Sequence, residues 1–171
     1  MTTLIFIRHG QSTANLDKVF AGQTDVPLTE LGLRQAQRTA NYLKDYPISK
    51  IYASDLMRAM QTAEPTAVLH GLPIISSRNL REIFAGDWEG RAYEDLMQSY
   101  PRSYGIWRTD CGRAHPEHGE SVIDLSKRIY AEIDRILDCD RGACVAIFTH
   151  ATPLRLLRQN GRAILQKSFP V

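Results

Sequence analysis

The stretch Leu4-Ile5-Phe6-Ile7-Arg8-His9-Gly10 (residues 4–10) and its counterpart Ala143-Cys144-Val145-Ala146-Ile147-Phe148-Thr149-His150 (residues 143–150) decide the fold. Each is an apolar run of strand length, and each runs straight into a histidine. The second run has no polar alternation, which suits a strand covered on both faces. Helical patterns lie between them. Thr29 reads as an N-cap, and Leu33, Ala36, Ala40 and Leu43 follow on one helical face. Lys50 to Ala53 reads as a second strand. Leu56 to Leu69 reads as a helix, with Ser54 as its cap and Pro65 as a kink, ended by Gly71-Leu72-Pro73. Ile74-Ile75 opens a third strand. Val122, Leu125, Ile129, Ile133 and Ile136 mark the clearest helix, over Ser121 to Leu137. Pro153 suits the first turn of one more helix, to about Gln159. Asn79 to Arg113 reads as loop-rich and surface-lying, with a short helical pattern around Tyr93 to Met97. Strands alternating with helices predict an α/β protein with a mostly parallel sheet.

Composition narrows the function classes. A chain of 171 residues is the size of one domain, and no repeat or linker divides it. Lys plus Arg is 21 against 19 Asp plus Glu, a net charge of +2, which lacks the signature of a nucleic-acid binder. No apolar run approaches the ~20 residues of a membrane span, and the first residues read as a strand rather than a secretory leader. Three cysteines, Cys111, Cys139 and Cys144, cannot all pair within one chain and show no CxxC spacing. A reducing cytoplasm is the expected setting.

His9 and His150 share one grammar: strand, histidine, then residues able to start a helix. Ligand sites in open α/β sheets lie beyond the carboxyl ends of the strands, so one crevice can receive both. Helix amino ends favour anions, and Arg8 adds a permanent positive charge. The set suits a phosphate ester. Either histidine alone would equally fit an ordinary hydrogen-bonded residue at a strand end. In His115-Pro116-Glu117-His118-Gly119-Glu120-Ser121 the histidines lack the helical spacing of a metalloprotease site and Pro116 interrupts them, so no metal site is expected.

Six segments in order, LIFIRHGQSTAN (4–15), TDVPLTELGLRQA (24–36), YASDLMRAMQTA (52–63), LREIFAGDWEG (80–90), HGES (118–121) and FTHATPLRLL (148–157), resemble the histidine phosphatase superfamily. This family contains the cofactor-dependent phosphoglycerate mutases and many small phosphatases, and the segment GDWEG is most similar to the α-ribazole phosphatase and broad-specificity phosphatase branch. The resemblance implies a three-layer phosphoglycerate mutase-like fold over 1–171, with a short cap at about 83–118. It makes His9 the nucleophile. It makes Arg8, Arg58, Asn15 and His150 the phosphate-binding set, Glu82 the acid that protonates the leaving oxygen, and Gly22 and Gln23 substrate contacts. It implies a small phosphorylated substrate and no cofactor. The residue types suit the chemistry. Arginine offers planar, always-charged donors to phosphate oxygens, and neutral imidazole is a usable nucleophile.

Only 68 residues separate Glu82 from His150, leaving no room for the long insertion of the mutases. A shorter cap favours water entry and hydrolysis over mutase-type transfer. A non-catalytic phosphate-binding module is the other alternative. Two departures stand out. Ala151 replaces the glycine that usually follows the second histidine, and only 21 residues follow His150. That short end leaves either a truncated chain or a homodimer partner over the exposed sheet edge. Tyr93, Tyr104 and Trp107 fit a pocket lining or plain cap packing. Arg102, Arg108 and Arg113 fit an acidic substrate or solvated surface.

Overall fold

Successive side chains of a strand point to opposite faces. Val145, Ala146, Ile147 and Phe148 are all fully buried, so both faces of their strand must be covered. The computed structural model describes residues 1–159, Gln159 by its backbone alone. Strands β1 (Thr3–Arg8), β2 (Lys50–Ser54), β3 (Ile74–Ser77) and β4 (Cys144–Thr149) form one sheet in the order β1-β4-β2-β3. Every pairing is parallel. Helices are α1 (Thr13–Leu16), α2 (Glu30–Leu43), α3 (Met57–His70), α4 (Tyr93–Ser99), α5 (Pro101–Thr109), α6 (Val122–Cys139) and α7 (Ala151–Gln159).

Two cores sandwich the sheet. Ile5, Ile51, Ala53, Ala146 and Phe148 pack with Leu43, Ala63 and Ala67 of α2 and α3. Phe6, Tyr52, Val145 and Ile147 pack on the other face with α6, α7 and residues 80–114, where Trp88 is fully buried. The layering is helix, sheet, helix. Among the described residues no helix is long and apolar enough to cross a membrane.

Caps follow the sequence where a side-chain oxygen was available. Thr29 accepts from Gly32 N and Ser121 from Asp124 N. Gly71 ends α3 at φ 63, as a left-handed C-cap favours glycine. Two expectations need correction. Ser54 does not cap α3. That helix begins at Met57 behind Leu56, and the Ser54 hydroxyl meets His150 instead, because β2 ends beside β4. Residues 79–113 are not loop-rich and surface-lying. The short helix expected around Tyr93 is present as α4, but α5 and 3₁₀ turns at Arg78–Leu80, Gly86–Trp88 and Cys111–Arg113 join it, and the stretch buries Leu80, Ile83, Trp88, Leu96 and Tyr104. Pro101 at the first position presets α5, while Gly105 and a sparse apolar stripe hid it. Most of the short end expected beyond His150 lies outside the described residues.

Candidate active site

Parallel pairing fixes the centre of the site. Arg8 stands level with Thr149, and His9 N donates to Thr149 O at 3.0 Å. The adjacent strands β1 and β4 therefore release His9 and His150 side by side, with ring centroids 5.1 Å apart. Two residues 141 positions apart in sequence become neighbours through sheet order alone.

Each ring is held. His9 Nδ1 lies 2.7 Å from Gly10 O. A carbonyl only accepts, so Nδ1 carries the hydrogen and the Nε2 lone pair stays free. Gly10 is itself pinned, donating to Thr62 Oγ1 at 3.0 Å. A side chain at Gly10 would strike the Gly32 carbonyl, 2.6 Å from an ideal Cβ. Burial, then Arg58, then Arg8 lower the His9 pKa to about 3, against the opposing hydrogen bond to Gly10. His150 is fully buried, with Nε2 2.8 Å from Ser54 Oγ. Burial, His9 and Arg58 hold its pKa well below the ordinary value. Its Nδ1 has no hydrogen-bond partner among the described residues. Both imidazoles are neutral near pH 7.

Arg58 is 1% exposed, on the first turn of α3. Its guanidinium donates to Thr24 O at 2.9 Å and Gly22 O at 2.7 Å. That loop is knitted by Glu89, which accepts from Gln23 N, Thr24 N and Ala85 N at 2.7, 2.8 and 3.0 Å. Burial lowers the Arg58 pKa, and the charges of Glu82, Asp25 and Glu89 oppose the shift. Glu82 accepts from Ile83 N at 2.8 Å and from Thr152 N at 3.2 Å. The first turn of α7 thus already faces a carboxylate, that of Glu82.

A cavity of about 310 Å³ opens over these groups. Arg8, His9, Asn15, Gly22, Arg58 and Glu82 line it, as do Phe20, Tyr93, Tyr104 and Trp107. Phe20 and Trp107 meet edge to face at 5.3 Å, an ordinary aromatic contact. His150 sits behind His9 rather than in the lining. Asn15 spends its amide oxygen on Ser12 N and Oγ in a capping box, leaving its amide hydrogens as donors. Gln23 does not line the cavity; its side chain bridges Glu82 O and Arg81. Arg102, Arg108 and Arg113 are outside the lining. The residues of the 115–121 stretch turn to separate partners: His118 to Asp87, Glu117 to Trp88 and Glu120 to Arg128.

Sequence reading missed Thr62, Ser54, Glu89 and Arg155. Thr62 and Arg155 had a findable signal. Thr62 lies four residues after Arg58, and Arg155 lies four after Ala151, the residue singled out after His150, so helical spacing puts each on a face with a position already marked. Arg155 lines the cavity and also a second hollow beside Cys111. Ser54 and Glu89 act through contacts that no local pattern encodes.

Known proteins resemble this chain in sequence and in fold. The sequence profile of the histidine phosphatase superfamily (branch 1) matches residues 4–166. An adenosylcobalamin/alpha-ribazole phosphatase of Escherichia coli is 34% identical over 154 residues, 90% of this chain and 76% of that protein. A phosphoglycerate mutase-like protein 4 of Arabidopsis thaliana is 34% identical over 169 residues, 96% of this chain and 73% of that protein. Bacillus stearothermophilus YhfR superposes with a TM-score of 0.90 at 32% identity, covering 94% of this chain and 79% of that one. A mycobacterial glucosyl-3-phosphoglycerate phosphatase solved with VO3 superposes at 0.85 and 28% identity, covering 92% and 78%. With the profile spanning nearly the whole sequence and paired histidines at the ends of β1 and β4, the chain belongs to the histidine phosphatase superfamily, branch 1.

Proposed function

We propose that this protein is a phosphomonoesterase that hydrolyses a small phosphate ester through a phosphohistidine on His9. The observation that carries the reading is the state of His9. Its Nδ1 hydrogen is committed to Gly10 O, its pKa is pressed down to about 3, and it lines a cavity with Arg8, Arg58 and Glu82. Such a ring presents a neutral Nε2 to an electrophile over the whole neutral range.

Phosphoryl transfer asks mainly for positioning and charge stabilisation. Arg8 and Arg58 supply fixed positive charge to the equatorial oxygens, and the Asn15 amide adds a donor. His150 Nδ1, unpartnered among the described residues, would reach a phosphoryl oxygen only if the bound ester opens the wall beside His9, since it is fully buried outside the lining. As Nε2 of His9 bonds to phosphorus, the bond to the leaving oxygen breaks and Glu82, which takes up a proton together with the ester, passes it to that oxygen. Glu82, now a carboxylate, takes a proton from the attacking water as its oxygen bonds to phosphorus; the His9 Nε2–phosphorus bond breaks, and phosphate leaves. The arginines supply the charge that a metal would otherwise provide, so turnover should survive chelation. Phe20, Tyr93, Tyr104 and Trp107 suit a leaving group with an apolar or planar face. Residues 83–118 act as the cap in this reading, and the names of the Escherichia coli and mycobacterial relatives support hydrolysis.

The test is turnover of para-nitrophenyl phosphate in EDTA by wild type and His9→Ala. We expect metal-independent release of phosphate that His9→Ala abolishes, and strong inhibition by vanadate. Full activity in His9→Ala would remove His9 as nucleophile. Interconversion of phosphoglycerates without free phosphate would make the protein a mutase.

A further inference from the structure

Arg128 lies on α6, outside the cavity lining, with its side chain 19% exposed. All three nitrogens of its guanidinium donate hydrogen bonds. Nε and Nη2 grip the two carboxylate oxygens of Glu120 at 2.7 and 2.8 Å. Nη1 donates to the carbonyls of Asn79 and Arg81 at 2.9 and 2.8 Å. Nη2 also donates to the carbonyl of Glu82 at 2.7 Å. Glu120 continues the clamp past Glu82, its carboxylate accepting from Phe84 N at 3.2 Å and its own N donating to Phe84 O at 2.7 Å. From the opposite side Gln23 Nε2 donates to the same Glu82 carbonyl at 3.1 Å.

These contacts converge on one short segment, with two of them on the Glu82 carbonyl. The segment from Asn79 to Phe84 is not itself a strand. Thr149 Oγ1 of β4 holds the Leu80 carbonyl at 2.7 Å and Asp55 grips the Arg81 side chain, but neither reaches the Glu82 peptide, which must present one carboxylate to the reacting centre. An exposed ion pair stabilises by little. A guanidinium fork that serves three carbonyls and a carboxylate instead fixes geometry, because its donors are planar and pre-organised. Swinging residue 82 away from the cavity would strand at least two of these donors in a half-buried site.

We propose that Arg128, braced by Glu120, is the positioning residue that holds Glu82 where it can protonate the leaving oxygen. The proposal rests on the reading of Glu82 as proton donor. In that step the His9 Nε2–phosphorus bond forms, the bond from phosphorus to the leaving oxygen breaks, and the proton moves from the Glu82 carboxyl to that oxygen. An alkoxide needs the proton; para-nitrophenolate scarcely does.

The experiment compares kcat/KM for an alkyl phosphate and for para-nitrophenyl phosphate across wild type, Glu82→Gln, Arg128→Met, Arg128→Lys and Glu120→Gln. This ratio reports the phosphorylation step even when hydrolysis of phosphohistidine limits kcat. A general acid contributes ~10²–10⁴-fold, and a misplacement of ~1 Å costs on the order of 10²-fold. Arg128→Met should therefore lose on the order of 10–100-fold on the alkyl ester and less than about threefold on the nitrophenyl ester. Arg128→Lys should fall between, since one ammonium cannot serve three carbonyls. If Arg128→Met does not fold, Arg128→Lys and Glu120→Gln carry the comparison. Equal losses on both esters mean a merely structural role and overturn the proposal. A selective loss in Glu82→Gln without one at Arg128 or Glu120 overturns it while sparing the acid. No selective loss in Glu82→Gln removes the acid itself, and an inactive wild type removes the hydrolase reading with it.

Discussion

Thr62 is the residue through which α3 holds the Gly10 peptide beside His9, and Thr62→Val isolates that contact. Valine keeps the shape and removes the hydroxyl. Thr62 Oγ1 accepts from Gly10 N at 3.0 Å and donates to Arg58 O at 2.6 Å, all of it buried. The Arg58 carbonyl lies inside α3 and keeps its helical partner, so the serious loss is the Gly10 N–H. An unsatisfied buried donor costs about 1–3 kcal/mol. For a domain of this size 2 kcal/mol is a fall in Tm of about 4–8 °C. The catalytic effect follows from the next bond. Gly10 O fixes His9 Nδ1 at 2.7 Å, so a peptide released at its nitrogen no longer holds the ring. A loss of about tenfold or more in kcat/KM is expected, given that ~1 Å of misplacement costs on the order of 10²-fold. Urea unfolding and para-nitrophenyl phosphate kinetics read the two effects. Thr62→Ser is the control. It restores the hydroxyl and should keep the activity while losing only methyl packing. Wild-type stability and activity in Thr62→Val would refute the chain of contacts from Thr62 through Gly10 to His9.

Three further outcomes are expected. Arg58→Met removes a charge that lowers the His9 pKa, so the pKa should climb from about 3 part of the way toward 6.5, burial and Arg8 remaining in place; NMR titration of the imidazole checks it, and an unmoved value would strike Arg58 from the causes. His9 and His150 both have folded pKa values below that of the unfolded chain. The unfolded chain therefore takes up protons near pH 6.5 that the native state refuses, and stability should fall as pH drops below ~6.5, by ~1.4 kcal/mol per pH unit for each such histidine; a constant urea midpoint between pH 7.5 and 5 would contradict it. Gly86 has φ 53 and an ideal Cβ 2.1 Å from Glu117 O, whereas Gly71 has φ 63 in open space. Gly71→Ala should cost only the left-handed penalty of about 1–2 kcal/mol, and Gly86→Ala clearly more because backbone must also move; equal unfolding midpoints for the two variants would refute the close approach.

The helical expectations held where a local signal existed. Thr29 and Ser121 could cap because a hydroxyl one residue before an apolar stripe meets the free N–H groups of the first turn. Gly71 could end α3 because only a residue without Cβ turns left-handed at little cost. Ser54 misled for the opposite reason. Its hydroxyl has the right chemistry for a cap, but a neighbouring strand offers it the His150 ring, and sheet order is not a local property. Residues 79–113 hid α5 because their apolar side chains answer to Phe20 and to one another: Trp88 meets Phe20 at 5.6 Å and Tyr104 at 5.4 Å. Such a cluster, drawn from distant positions, has no period to read.

The sequence by itself determined the strands that end in His9 and His150, the helices between them, and residue types fit for an anion. Those properties depend on side chains a few positions apart. Only the tertiary structure decided that the two histidines touch, that Nδ1 of His9 is the committed nitrogen, that Arg58 is buried, and that Arg128 reaches the carbonyl of Glu82. The meeting of the histidines depends on which strands are neighbours and at what register, and the rest on how the following helices and loops pack and turn, because hydrogen bonds and desolvation act between groups a few ångströms apart in space wherever they lie along the chain.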